Sequence, residues 1–151
     1  MKHQILAAIF TSVTAFTTIP ASAGDAAKGE AIFKKCAACH QVGPEAENKV
    51  GPILTGVVGR AVASVEGYKY GKSIVAYGET GATWTEEELF DWLANPKKYL
   101  RAKLEDKKAK SKMSAKLKKE DERKDVIAYL ATFSEPAAEG EAASEGNTTT
   151  D

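Results

Sequence analysis

Cys36 and Cys39 stand three positions apart with His40 directly behind them, and this Cys-Ala-Ala-Cys-His run is the stretch best equipped for chemistry. Two thiols at that spacing can each add to one vinyl group of a porphyrin, and the imidazole that follows can bind the iron as its proximal ligand. Other uses of the pair fail on specific grounds. A structural zinc site needs four ligands, whereas beyond Ala23 the chain has only these two cysteines and one histidine. A thioredoxin-like redox pair belongs in an alternating strand–helix pattern, which is absent. A disulfide across so short a loop would restrict the unfolded chain little and leaves His40 without a role. The motif therefore predicts one covalently attached haem c with its iron.

The sixth iron position is then the question. Beyond Ala23, Met113 is the sole methionine and His40 the sole histidine, so two-histidine ligation within one chain is excluded. A lone methionine is often core filler, but Lys110-Ser111-Lys112-Met113-Ser114 is polar and basic and offers no apolar core to fill. A thioether opposite histidine raises the reduction potential and favours electron transfer over oxygen chemistry. Met113 is the predicted axial ligand, with a lysine of the same segment or an open position as the alternatives.

These residues need an address and a scaffold. Lys2 and His3 open the chain, a mostly apolar stretch runs to Ile19, and Ala21-Ser22-Ala23 has the small-x-small pattern of a secretory cleavage site. Thr11, Ser12, Thr14, Thr17, Thr18 and Pro20 interrupt the run, which falls short of a membrane span. The expectation is a cleaved signal over residues 1–23 and a periplasmic mature protein. At the other end, residues 135–151 carry five acids, no base and no apolar periodicity, and read as a disordered acidic tail. Residues 24–134 form the one domain, with 20 basic residues against 16 acidic, a balance of +4.

The domain reads as all-α. Asp25 is an N-cap for a helix through Gly29, Ile32, Phe33 and Cys36. Thr85-Glu86-Glu87-Glu88 has the capping-box pattern for a helix carrying Leu89, Trp92 and Leu93 inward and stopping at Asn95-Pro96. Asn95 with Pro96 at the first helical position can start a short helix through Leu100. A last helix covers about 121–133, with Val126, Tyr129, Leu130 and Phe133 on one stripe. Between Cys39 and Trp84 eight glycines break any periodicity, and this region reads as loops wrapped around a flat ligand.

Several blocks, in order, carry a resemblance: Gly24-Asp25 with Lys28-Gly29, Cys36–His40, Gly51-Pro52, Gly59-Arg60, Gly67-Tyr68-Lys69-Tyr70, Thr83-Trp84, Asn95-Pro96-Lys97-Lys98-Tyr99 and Asp125–Leu130. From Gly24 to Phe133 the chain resembles class I cytochromes c, in the group of mitochondrial cytochrome c and bacterial cytochrome c2. The resemblance implies the class I cytochrome c fold, helices and Gly-rich loops around one covalent haem. It implies that the Pro52 carbonyl accepts a hydrogen bond from His40, that Arg60, Tyr70 and Trp84 hold a haem propionate with Ser111 beside one, and that the first and last helices cross at Gly29. Against the family pattern, Trp92 stands where mitochondrial proteins usually have Tyr, Ile74 replaces Asn, Ala115 replaces an aromatic, and Arg101–Lys110 looks like an insertion of the longer cytochromes c2.

Two function classes follow. One is a diffusible one-electron carrier, a monomer with no nucleic-acid partner, shuttling from a cytochrome bc complex to a photosynthetic reaction centre or terminal oxidase. The other is a haem c enzyme or gas sensor with an exchangeable sixth ligand, for which no second histidine offers an acid–base group. Eleven basic residues between Lys97 and Lys119 face only Glu105 and Asp106. Such a run around the proposed ligand suits transient contact with acidic faces of membrane redox complexes.

Overall fold

A computed structural model describes residues 24–134; the signal assigned to 1–23 and the tail assigned to 135–151 lie outside the described residues. Five helices follow in chain order: α1 (Ala26–Phe33), α2 (Lys72–Gly78), α3 (Glu86–Ala94), α4 (Pro96–Lys103) and α5 (Glu120–Ala131). Among the described residues the only β pairing is an isolated bridge between Ala61 and Thr83, and no helix is long and apolar enough to cross a membrane.

Helix α1 begins where the Asp25 carboxylate accepts from the amides of Ala27 and Lys28, at 3.0 and 3.1 Å. The Asp25 amide donates in turn to Asp125 Oδ1 at 2.8 Å, which ties the start of α1 to α5. The two helices cross at Gly29, buried against Asp125 and Tyr129: a methyl group there would overlap the Asp125 carbonyl and lie 2.7 Å from Tyr129 Cβ. The Phe33 and Tyr129 rings, 5.5 Å apart, close the crossing. The helical stretch ends at Phe33, short of Cys36. The chain continues in tight turns, with Cys36 and Ala37 both donating to the Phe33 carbonyl.

Helix α5 starts one residue before its expected position, with Glu120, Asp121 and Glu122 at its positive end. Val126 and Leu130 are buried as the stripe requires, while Tyr129 and Phe133 are half-buried. Arg123 and Ile127 complete the buried face. Thr85 Oγ1 caps α3 by accepting from the Glu88 amide at 3.1 Å. The reciprocal half of the capping box is absent: the Thr85 amide donates to the Thr83 carbonyl. Asn95 ends α3 and caps α4 through Oδ1 and the Lys98 amide, at 3.2 Å. Helix α4 runs to Lys103 rather than Leu100, with Arg101 and Lys103 in its last turn, where basic residues suit the dipole.

The clearest difference from the sequence reading is α2, inside the segment taken as loop. Gly71 and Gly78 bracket it, its cap has no side-chain bond, and Ile74 and Val75 are β-branched, all features that weaken a local helical signal. Tertiary packing holds it: Tyr77 is buried, and at Gly78 a side chain would collide with the Val62 carbonyl. The rest of the 40–84 stretch is turn-rich as expected. At Gly59, φ is +84°, a conformation glycine adopts without steric cost, and its amide donates to the Trp84 carbonyl at 2.8 Å.

Candidate functional site

The turns after α1 set the floor of the site. Cys39 and His40 both donate to the Cys36 carbonyl at 3.0 Å, a helical i,i+3 and i,i+4 relation that brings the three side chains to one side of the turn. The two cysteines form no disulfide with each other, so both sulfurs are available for attachment. Burial pushes the Cys36 thiol up from its ordinary range.

His40 Nδ1 lies 2.7 Å from the Pro52 carbonyl oxygen. A carbonyl can only accept, so Nδ1 carries the proton and Nε2 is left with its lone pair. Burial lowers the His40 pKa, partly opposed by the Pro52 bond, which keeps the ring neutral. Gly51 packs flat on this imidazole; a Cβ there would overlap the ring. The Gly51 amide, bonded to the Cys39 carbonyl at 2.8 Å, laces the 48–54 segment over the turn.

Above this floor opens a cavity of about 640 Å³, and every site residue expected from the sequence lines it: Cys36, Cys39, His40, Pro52, Arg60, Tyr70, Trp84, Ser111 and Met113. Leu54, Val57, Leu89, Leu93, Val126 and Leu130 make its wall apolar. Size and lining suit a cofactor site, a mostly apolar space with few placed polar groups. Arg60 holds two loop carbonyls, Thr55 at 2.9 Å and Ile53 at 3.0 Å, while its buried Nε has no protein partner. A buried donor left unsatisfied by protein is the kind that an anionic ligand completes. The Tyr70 hydroxyl accepts from the Val65 amide at 3.3 Å.

Met113 reaches the cavity on a strap, residues 110–118, pinned at several points. The Lys110 amide donates to Ser73 Oγ at 3.0 Å, Ser111 Oγ to the Met113 carbonyl at 2.9 Å, and Lys112 Nζ to the Lys69 carbonyl at 2.5 Å. Leu117 donates to the Leu93 carbonyl at 2.8 Å, and buried Arg123 grips the Leu117 and Lys118 carbonyls from α5. Sequence reading missed Arg123 because a charged residue on a helix normally faces water; its i,i+3,i+4 register with Val126 and Ile127 was the available signal. It also missed Lys35 and Lys116 as cavity residues and Tyr68, whose hydroxyl donates to the Val50 carbonyl at 2.7 Å.

The three substituted positions among the departures from the family pattern, Ile74, Trp92 and Ala115, also line the cavity. So do five cations, Lys35, Arg60, Lys110, Lys112 and Lys116, and no acid. Among the described residues no three His, Cys, Asp or Glu converge on one point, as a zinc centre held by protein alone would require. A paired thiol and imidazole motif, an unprotonated Nε2, a thioether and an apolar cavity together fit a covalently held haem.

Comparison with known proteins gives the same family. The cytochrome c family profile matches residues 26–134. Cytochrome c2 iso-1 of Rhodospirillum centenum is 50% identical over 117 residues, spanning 74% of this chain and 98% of that protein. Cytochrome c-550 of Paracoccus denitrificans is 45% identical over 150 residues, 91% of this chain and 96% of that one. The solved structure of cytochrome c2 from Rhodospirillum centenum superposes with a TM-score of 0.72 at 49% identity, covering 74% of this chain and all of that one. The chain belongs to the cytochrome c family, in the class I bacterial cytochrome c2 group, whose members are electron carriers and not enzymes and carry one covalent haem c.

Proposed function

We propose that residues 24–134 act in the periplasm, after removal of the 1–23 signal, as a monomeric shuttle. It takes single electrons from a cytochrome bc complex and delivers them to a photosynthetic reaction centre or terminal oxidase. Cys36 and Cys39 tether the haem, and His40 and Met113 are its axial ligands. The observation that carries this reading is that His40 and Met113, from distant parts of the chain, line one cavity with the two thiols.

When bound, the haem supplies an iron that gains and loses one electron. The protein's part is to hold that change at low structural cost. Pro52 fixes the His40 ring and its proton through the 2.7 Å bond, an outer contact that also tunes ligand basicity. Ser111 steadies the backbone of Met113. Arg60, Tyr70, Trp84 and Ser111 offer the surroundings of the propionates, with Arg60 Nε the donor still to be satisfied. The apolar wall excludes water, which keeps the thioether a competitive ligand and the surrounding dipoles fixed. Lys110, Lys112 and Lys116, the strap cations that line the cavity, favour brief encounters with acidic faces of membrane complexes over tight binding.

The test is Met113→Ala in the periplasmic holoprotein. The expected result is retained covalent haem, loss of the weak far-red absorption of the ferric form, and a lowered potential. An unchanged spectrum and potential would exclude Met113 as the ligand.

A further inference from the structure

Glu88, the last acid of the Thr85–Glu88 helix start, does not turn back on the Thr85 backbone. Its Oε2 accepts from the hydroxyl of Tyr77 on α2 at 2.8 Å and from that of Tyr99 on α4. The two phenol oxygens are themselves 2.9 Å apart. Oε1 accepts from Lys103 Nζ, also on α4, at 2.5 Å. Three oxygens thus form a triangle to which two phenols bring two protons. An ionised carboxylate lets both phenols donate to one acceptor, and Lys103 supplies the opposing charge.

Both phenols are buried, and their rings run directly into the haem cavity wall. Tyr99 stacks on Trp84 with centroids 6.2 Å apart and meets Trp92 edge-on at 5.6 Å. Tyr77 meets Trp84 edge-on at 6.5 Å, and the two indoles are 5.2 Å from each other. Trp84 and Trp92 both line the cavity. A packed aromatic group of this kind passes displacement on, since interiors have little free volume.

We propose that Glu88 is a positioning residue for the redox site: by holding the Tyr77 and Tyr99 hydroxyls it fixes the two indoles that wall the cavity, and with Lys103 it sets the local charge that biases the iron between its two oxidation states. The proposal rests on the haem assignment. A simple tie between α2, α3 and α4 would account for the hydrogen bonds, but it would not require the redox equilibrium to follow the charge of Glu88.

The experiment uses holoproteins carrying E88Q, E87Q or Lys103→Gln. It measures the midpoint potential, the indole N–H resonances of Trp84 and Trp92 in the reduced state, and the melting temperature. In E88Q a negative charge is lost and Lys103 is left uncompensated, so the oxidised state, which carries one more positive charge, is disfavoured. The expected shift is twofold to fivefold towards the reduced form, about 18 to 41 mV upward at 59 mV per decade, with both indole resonances moved. Lys103→Gln, at an exposed position, moves the equilibrium the opposite way and still folds if E88Q does not. E87Q removes the same formal charge from the exposed neighbour and leaves both indoles in place with a smaller potential shift. A potential and indole resonances that stay at wild-type values in both E88Q and Lys103→Gln, whatever the melting temperature does, overturn the proposal. So does an E87Q shift as large as that of E88Q. Failure of wild type to hold covalent haem is seen before any potential is read, and it removes the haem assignment and this proposal together.

Discussion

Gly51→Ala tests whether backbone at that position must lie flat on His40. The added Cβ would sit 2.6 Å from Nδ1 and 2.7 Å from Nε2, whereas ordinary contacts between heavy atoms of this kind are about 3.5–4.0 Å. The ring, or the 48–54 segment, must therefore retreat by roughly an ångström. Neither can do so freely: the ring is held by the Pro52 carbonyl at 2.7 Å and the segment by the Gly51–Cys39 bond at 2.8 Å. Overpacking costs about 1–3 kcal/mol, and a broken, half-buried hydrogen bond about 1–3 kcal/mol more. At the smallest sum, about 2 kcal/mol, and about 4 °C per kcal/mol for a domain of this size, Tm falls by at least about 8 °C. Gly71→Ala is the control in the same cavity. Its φ is −77° and the nearest atom to an added Cβ is Lys112 Cγ at 3.5 Å, so only the helix cap suffers, by less than about 1 kcal/mol. Thermal melts followed at the haem band and in the far ultraviolet, with a ferric spectrum of each variant, make the comparison. A Gly51→Ala protein that melts within about 2 °C of wild type with an unaltered spectrum would refute the close approach as a constraint on the ligand.

Three further outcomes are expected. Gly29→Ala gains about 1 kcal/mol of helix propensity but forces a methyl group into the α1–α5 crossing, where overpacking costs about 1–3 kcal/mol; a urea midpoint above that of wild type would show that the crossing can open cheaply. The second-order rate with a reaction centre or oxidase falls steeply as the Debye length shrinks from about 30 Å at 0.01 M salt to about 10 Å at 0.1 M. Lys116→Glu, on the cavity rim, weakens that rate more than Lys28→Glu does, and stopped-flow rates indifferent to salt would end the docking idea. For Glu88, burial raises the carboxyl pKa, but hydrogen bonds from Lys103 and Tyr77 and the Lys103 charge together lower it by more, to below its ordinary value of 4.5. Its contribution to stability is then complete above the unfolded-state pKa and lost as pH falls through the lower folded value. Wild type should exceed E88Q in denaturant stability at pH 7, with the gap closing below about pH 4; a gap independent of pH would count against the ionised pair.

What the sequence alone determined is what depends on near neighbours and on elimination. The Cys36–His40 spacing is local, so its haem reading needs no tertiary information. The proposal of Met113 as the second ligand rests on there being no other methionine beyond Ala23. Helix starts at Asp25, Thr85 and Asn95 were legible because a cap bonds to amides two or three residues away. Family resemblance, not spacing, supplied the Pro52 bond to His40, since nothing in a linear pattern pairs residues twelve positions apart. Only the tertiary structure decided the rest. Helix α2 has weak local signals and forms because Tyr77 and Gly78 find their places against α4 and the Val62 carbonyl. Arg123 is buried because two strap carbonyls need a donor that α5 can reach. Glu88 was legible as one half of a capping box, yet its carboxylate left the backbone for two phenols and an ammonium. Local rules price a side chain against its own turn of helix, while the fold offers it stronger partners from elements far away in the chain.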